Sequence, residues 1–271
     1  MEENVKKKPG VIKTIVTIFL MIISVFFIIP MILLQMLAPL MTSFDEFADE
    51  VGRTRIHKEV RYIMSENRAN FWVSRVDYEE NDKNVICILD HMTLRNMSEL
   101  PVVSFEDGLE IEGNGETRLY FPYTILDYGG IESISGISHI ISSDVTAVPT
   151  CDLGGATLVV PKPLYDSLGD SEKEKCVPAN IAYMYNYEDS PNDNYYYVDY
   201  SEESGALSRA FDKPHRPGRV FKGWYTEPEC INEWDFDSGV VEVRYDEDGN
   251  VIYEEFKLYA KWSRQIYAIE E

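Results

Sequence analysis

The side chains best suited to acid–base, nucleophilic or metal chemistry in this chain are its four histidines and four cysteines. His57, His91, His139 and His215 are scattered, with no H-E-x-x-H or other compact ligand spacing. Asp90-His91 sets an acid beside a base, as general acid–base work requires, but its place at the end of an apolar run reads more simply as an exposed strand terminus. Ser135-Gly136-Ile137-Ser138-His139 brings two serines near a histidine without forming the G-x-S-x-G elbow. Cys87, Cys151, Cys176 and Cys230 are widely spaced and form no C-x-x-C, which argues against zinc. Four cysteines allow three full pairings. Cys87, inside the apolar run 85–89, reads as a buried thiol behaving as a small hydrophobe. If one bridge forms, Cys176 with Cys230 is favoured, because both flank the C-terminal segment. No glycine-rich phosphate loop is present. The expectation is therefore a protein that is not an enzyme and holds no cofactor or metal. Triads gather residues distant in sequence, so an unrecognised extracellular enzyme stays as a remote alternative.

Charge narrows the partners. The 271 residues carry a formal net charge of −22, spread over the chain rather than gathered in one tail. A field of that sign repels nucleic acid and anionic lipid, so no nucleic-acid partner is expected. The string Asp246-Glu247-Asp248-Gly249 lacks the D-x-D-x-D-G spacing and the later glutamate of a calcium loop, and fits a hairpin tip instead.

Behind these side chains stand the elements that must position them. Residues 14–41 contain no charged side chain, which is long enough to span a bilayer. Lys6, Lys7, Lys8 and Lys13 precede the run, and Asp45, Glu46, Asp49 and Glu50 follow it. The positive-inside rule then predicts a cytoplasmic N-terminus at 1–13, a transmembrane anchor at 14–42 and an extracellular remainder: a single-pass protein of the cell membrane. A cleavable signal peptide is the alternative, but the run is long for one and lacks an A-x-A-like end. A buried helix of a soluble protein is a lesser one. Ser43-Phe44-Asp45-Glu46 has capping-box form, and Ile56, Val60 and Ile63 follow at helical spacing, predicting a juxtamembrane helix over 43–66.

From residue 70 to 170 short apolar runs alternate with turn formers, predicting a small β-rich domain. Val148-Pro149-Thr150-Cys151, then Ala156-Thr157-Leu158-Val159-Val160-Pro161, then Leu164-Tyr165, resembles the closing coil of a BspA-type leucine-rich repeat. The resemblance implies a strand ending in Val-Pro and a short helix over 163–168. A degenerate cap of one or two coils and an unrelated β-rich domain both remain open. Residues 171–178 are polar and charged and read as a linker.

The C-terminal segment, 179–264, carries the strongest signature. Ile181, Tyr183, Tyr185 and Tyr187 alternate with smaller residues, and Tyr195 to Tyr200 returns after a turn-rich stretch, predicting a hairpin. Pro217-Gly218-Arg219-Val220-Phe221-Lys222-Gly223-Trp224-Tyr225, Trp234-Asp235-Phe236 and Leu258-Tyr259-Ala260-Lys261-Trp262 follow. This pattern resembles the internalin-type B-repeat, or Listeria–Bacteroides repeat, a module of bacterial surfaces. The resemblance implies a β-grasp-like fold whose core uses Phe221, Gly223, Trp224, Tyr225, Trp234, Phe236, Leu258, Tyr259 and Trp262. It also implies that a piece from Cys176 to Arg264 folds alone. Two departures stand out. Arg219 occupies a position where the family has an aromatic. Residues 240–256 insert a hairpin, with Tyr245, Asp246, Asp248, Gly249, Asn250 and Tyr253 as candidate contact residues. Residues 265–271 are a tail.

The fold class expected from all this is a mainly β exterior with an N-terminal transmembrane helix and a β-grasp-like C-terminal module. The expected function is a membrane-anchored bacterial cell-surface protein displaying a non-catalytic repeat for protein binding or adhesion. Its partners would be the membrane, through the N-terminal helix, and an extracellular protein or envelope component. A structural or accessory spacer of an envelope complex is the alternative.

Overall fold

The computed structural model describes residues 54–57, 60–77, 84–94, 99–207, 213–249 and 251–264. The chain divides into a unit of residues 1–53, outside the described set, and a unit of residues 54–271. In the second unit the strands are β1 (Thr54–His57), β2 (Val60–Met64), β3 (Phe71–Val76), β4 (Val85–Cys87), β5 (His91–Thr93), β6 (Glu99–Phe105), β7 (Leu109–Phe121), β8 (Ile131–Ser142) and β9 (Thr157–Val160). Two short helices, α1 (Lys162–Ser167) and α2 (Asp170–Lys173), lead into β10 (Cys176–Pro178). Then come β11 (Ile181–Met184), β12 (Tyr195–Asp199), β13 (Arg219–Tyr225), β14 (Arg244–Tyr245), β15 (Val251–Ile252) and β16 (Phe256–Arg264).

Three sheets stack as layers. The first has the order β1-β2-β3-β6-β5. The second, β10-β9-β8-β7-β4, is parallel throughout, with Leu119 beside Ile140, Ile140 beside Leu158, and Leu158 beside Cys176. The third, β12-β11-β16-β13, has the parallel pair β11–β16 at its centre and an antiparallel partner on each side. The central sheet is covered on both faces, which explains the buried apolar runs Leu119–Phe121, Ile140–Ile141 and Leu158–Val160 within its strands. Ile86, Leu119, Phe121, Ile140, Leu158 and Val160 face the first sheet's Val60, Tyr62, Phe71, Val73 and Val102. The alternate residues Cys87, Tyr120, Ile141 and Val159 face Tyr183, Tyr196, Tyr197, Trp224 and Leu258 of the third sheet. From β7 onward the strands of the central sheet recur about every 20 residues, the step of a stacked coil. Backbones of adjacent coils touch at Gly136, where φ is 63° and an added Cβ would lie 2.2 Å from Gly113 O.

Several expectations are corrected. The described fold is mostly β, and no helix among the described residues is long and apolar enough to cross a membrane. The anchor expected at 14–42 lies outside those residues, as do 1–13, 43–53 and 265–271, so the expected single-pass topology and membrane partnership have no support in the structure. The expected helix over 43–66 gives way to β1 and β2, an antiparallel hairpin pairing Thr54 with Ile63 and His57 with Val60. Val60, Tyr62 and Met64 are buried at period two, and this burial outweighs the helical spacing of Ile56, Val60 and Ile63. The linker expected at 171–178 holds most of α2 and all of β10, the edge strand of the central sheet, where Cys176 is buried. The repeat's core is shared with Cys87, Tyr120, Ile141 and Val159 of the central sheet, so part of it lies outside the segment from Cys176 to Arg264.

Candidate functional site

The aromatic residues of the repeat are gathered by the β13–β16 ladder. Phe221 pairs with Trp262, Trp224 with Ala260, and Tyr225 with Tyr259. A bulge falls between Phe221 and Gly223, where φ is 141° and an added Cβ would lie 2.6 Å from Glu233 Oε1. This positive φ favours glycine. The bulge turns Trp224 inward to 9% exposure, with its ring 5.2 Å from Phe221 and 5.1 Å from Tyr183. Leu258 is fully buried beside it. Trp262 is half-buried, meets Phe221 at 5.9 Å, and donates from Nε1 to Tyr185 O at 2.6 Å. Trp234 and Phe236 form a second cluster with Phe256, at ring distances of 6.4 and 5.0 Å from Trp234. Trp234 is tied to the sheet by its N–H to Trp224 O at 2.8 Å. On the opposite face the Lys261 ammonium sits 4.4 Å above the Tyr225 ring.

The inserted segment forms a two-stranded hairpin, Arg244 opposite Ile252 and Tyr245 opposite Val251. Its base belongs to the core. Val241 is buried and bridges Gly205, with hydrogen bonds of 3.1 and 2.9 Å in the two directions. Val243 N–H donates to Ser204 Oγ at 2.8 Å, and Tyr245 O–H donates to Glu202 O. Its tip is free. Asp246, Asp248 and Gly249 are exposed, Gly249 has φ 84°, and Tyr245 and Ile252 expose large apolar surface. Tyr253 is half-buried beneath the Lys162 ammonium, 5.2 Å from its ring. Asn250 lies outside the described residues.

A group that sequence reasoning undervalued lies where the repeat meets the first two layers. Asp90 is 7% exposed, not at an open strand end. His91 Nδ1 lies 3.1 Å from Asp90 Oδ2, and Tyr185 O–H reaches Asp90 Oδ2 at 3.5 Å. One strand along, His215 Nδ1 lies 2.7 Å from Glu99 Oε1. Burial pulls the His91 pKa down, but the Asp90 hydrogen bond and the charges of Asp90 and Glu99 outweigh it, and the net shift is upward. Burial pushes Glu99 up against the opposing pull of His215 and His91. The signal in the sequence was the run Cys87 to Asp90, whose apolar length carries the acid inside. His139 and Ser138 are also adjacent, Nδ1 to Oγ 3.2 Å, but that hydroxyl is committed to the carbonyls of Glu116 and Thr117. Among the described residues no group of three or more His, Cys, Asp or Glu is arranged to hold a metal.

All four cysteines are free thiols, so the favoured Cys176–Cys230 bridge is corrected. Cys176 packs in the core between the first two layers and contacts Glu172 O at 3.4 Å, while Cys230 lies on the repeat, 3.5 Å from Pro228 O. Cys87 is buried, 3.9 Å from the Tyr197 hydroxyl.

This geometry defines a layered β protein whose last layer is a mixed four-stranded sheet with an aromatic core. Residues 180–261 match the family model of the Listeria-Bacteroides repeat domain. A leucine-rich repeat protein from Bacteroides capillosus is similar at 12% identity, covering 41% of this chain and 85% of that one, with a TM-score of 0.21. No match is found among curated proteins.

Proposed function

We propose that the chain is a non-enzymatic protein of the bacterial surface or exterior, whose repeat serves as a rigid platform for protein binding. The match of residues 180–261 to the Listeria-Bacteroides repeat domain supports the exterior setting. The observation that carries the binding reading is the division within the inserted hairpin: a base held by Val241 and Ser204, and a tip presenting Tyr245, Ile252, Asp246 and Asp248 to solvent. Exposed apolar side chains ringed by acids on a fixed mount suit a polar-rimmed protein contact. Replacing the whole segment 239–255 would remove buried Val241. The sharper test replaces residues 244–252 with a Gly-Asn turn in the full chain. The expected outcome is a melting temperature within about 2 °C of wild type and loss of a protein captured from an extracellular extract. A folded variant that retains every partner refutes the reading.

A further inference from the structure

At the other end of the repeat sheet, three arginines meet three aromatic rings. Arg219 of β13 stands directly opposite Arg264 of β16, and the next pair on the same face is Phe221 with Trp262. The turn at Pro217-Gly218, where Gly218 has φ 68°, is closed by Arg219 N–H donating to Arg216 O at 3.1 Å. It folds Arg216 back over the sheet, with its guanidinium 4.0 Å from the centre of the Tyr187 ring and 5.9 Å from Trp262. Tyr187 meets Trp262 edge-on at 6.0 Å. Like charges directly opposite on neighbouring strands destabilise a sheet. Among the described residues none of the three arginines has an ion pair with a carboxylate. Residues 213–225 and 256–264 contain no Asp or Glu, in a chain with 47 acidic and 25 basic residues.

We propose that this corner binds a sugar bearing an oxyanion, carboxylate or phosphate, within an acidic polysaccharide. Guanidinium forks grip either anion through paired hydrogen bonds, and an anion between Arg219 and Arg264 relieves their repulsion. Tyr187, Phe221 and Trp262 are half-buried, leaving ring surface beside the arginines for the C–H face of a sugar. A bare anion leaves that surface unused. The acidity of the rest of the molecule disfavours nucleic acid, whose long phosphate track needs an extended basic path. This site is distinct from the hairpin tip and stands or falls independently of it.

The test titrates the full chain with polygalacturonate and with a phosphomannan, using dextran, inorganic phosphate and polyglutamate as comparisons. One or both acidic polysaccharides bind, more weakly as salt rises, and which of them binds identifies the anion. Dextran and inorganic phosphate bind at least about tenfold more weakly, and Arg219→Gln and Arg264→Gln each lower polysaccharide affinity about tenfold. Both variants keep or raise the melting temperature, because each removes a like-charge pair. Replacing residues 244–252 leaves polysaccharide affinity unchanged. The proposal is overturned if neither acidic polysaccharide binds, if polyglutamate binds as tightly, or if both variants bind like wild type. It is equally overturned if they lose binding only together with melting temperature.

Discussion

The two cores on either face of the central sheet are made of different material. The one toward the first layer is built largely of Val, Ile and Leu, such as Val73, Ile86, Val102, Leu119, Ile140 and Leu158. The one toward the repeat adds a tyrosine cluster, Tyr120, Tyr183, Tyr185, Tyr195, Tyr196 and Tyr197, where the other has only Tyr62 and Tyr128 buried. Aliphatic burial is non-directional, whereas each buried hydroxyl needs a partner. Several of these partners lie across the layer boundary. Tyr197 O–H donates to Ile88 O at 2.5 Å, and Tyr120 O–H to Asp199 Oδ1 at 3.0 Å. Asp199, 3% exposed, also holds Arg118 at 3.0 Å and accepts from Tyr200 N–H at 2.7 Å. Val145 N–H donates to Asn192 Oδ1, and Asn192 donates to Ser143 O. The aliphatic core holds its layers together. The tyrosine core, in addition, sets how the repeat is seated.

The sharpest way to break this comparison is to separate the layers. A piece from Cys176 to Arg264 is expected to lose cooperative melting, because it leaves Tyr120, Ile141 and Val159 behind and strands the Tyr197 hydroxyl. A cooperative melt of that piece, followed by calorimetry, shows instead that the repeat is autonomous. Next in size, Asp199→Ala costs about 3–5 kcal/mol, since it removes one partner of a largely buried ion pair. Urea unfolding measures this, and a loss below about 1 kcal/mol contradicts a seating role. The smallest effect is at the histidine cluster. With its pKa raised in the fold, His91 contributes stability that is fully present below its unfolded value of 6.5 and is lost as pH rises through the raised value. Glu99, also raised, adds a loss of stability as pH climbs from its ordinary 4.5 through its raised value. The melting-temperature gap between wild type and His91→Gln is therefore largest below the ordinary 6.5 and narrows as pH rises through the raised value. A gap that does not vary with pH removes the ionic contribution.

How much of this was legible depends on whether the signal was local. The strands at 181–184 and 195–199, the hairpin tip at 246–249 and the buried Cys87 all follow from alternation, turn residues and apolar runs that sit in one stretch of chain. The β1–β2 hairpin was misread because Ile56, Val60 and Ile63 fit helical spacing while Val60, Tyr62 and Met64 fit alternation, and only the sheet partner decides. The shared core was illegible for a related reason. Tyr197 and Ile88 meet across more than a hundred residues of chain, and nothing in either neighbourhood names the other. Asp90 was read as an exposed strand end because Tyr185, which meets it, lies far along the chain, and the Glu99–His215 pair is likewise assembled from distant segments.

The position of β16 has a kinetic consequence. It follows every other strand of its sheet in the chain, yet lies at the centre, parallel to β11 and antiparallel to β13. During synthesis β11 and β12 can pair as soon as they emerge, while β13 has no neighbour until residues 256–264 arrive. For that interval Trp224 and Phe221 have no closed environment and the inner edge of β11 stands open. Contacts this distant in sequence form slowly, and open edges with apolar faces invite association with other chains. The repeat is thus a gap that its last strand fills, and the time spent waiting for that strand is when the molecule is most exposed to misassembly.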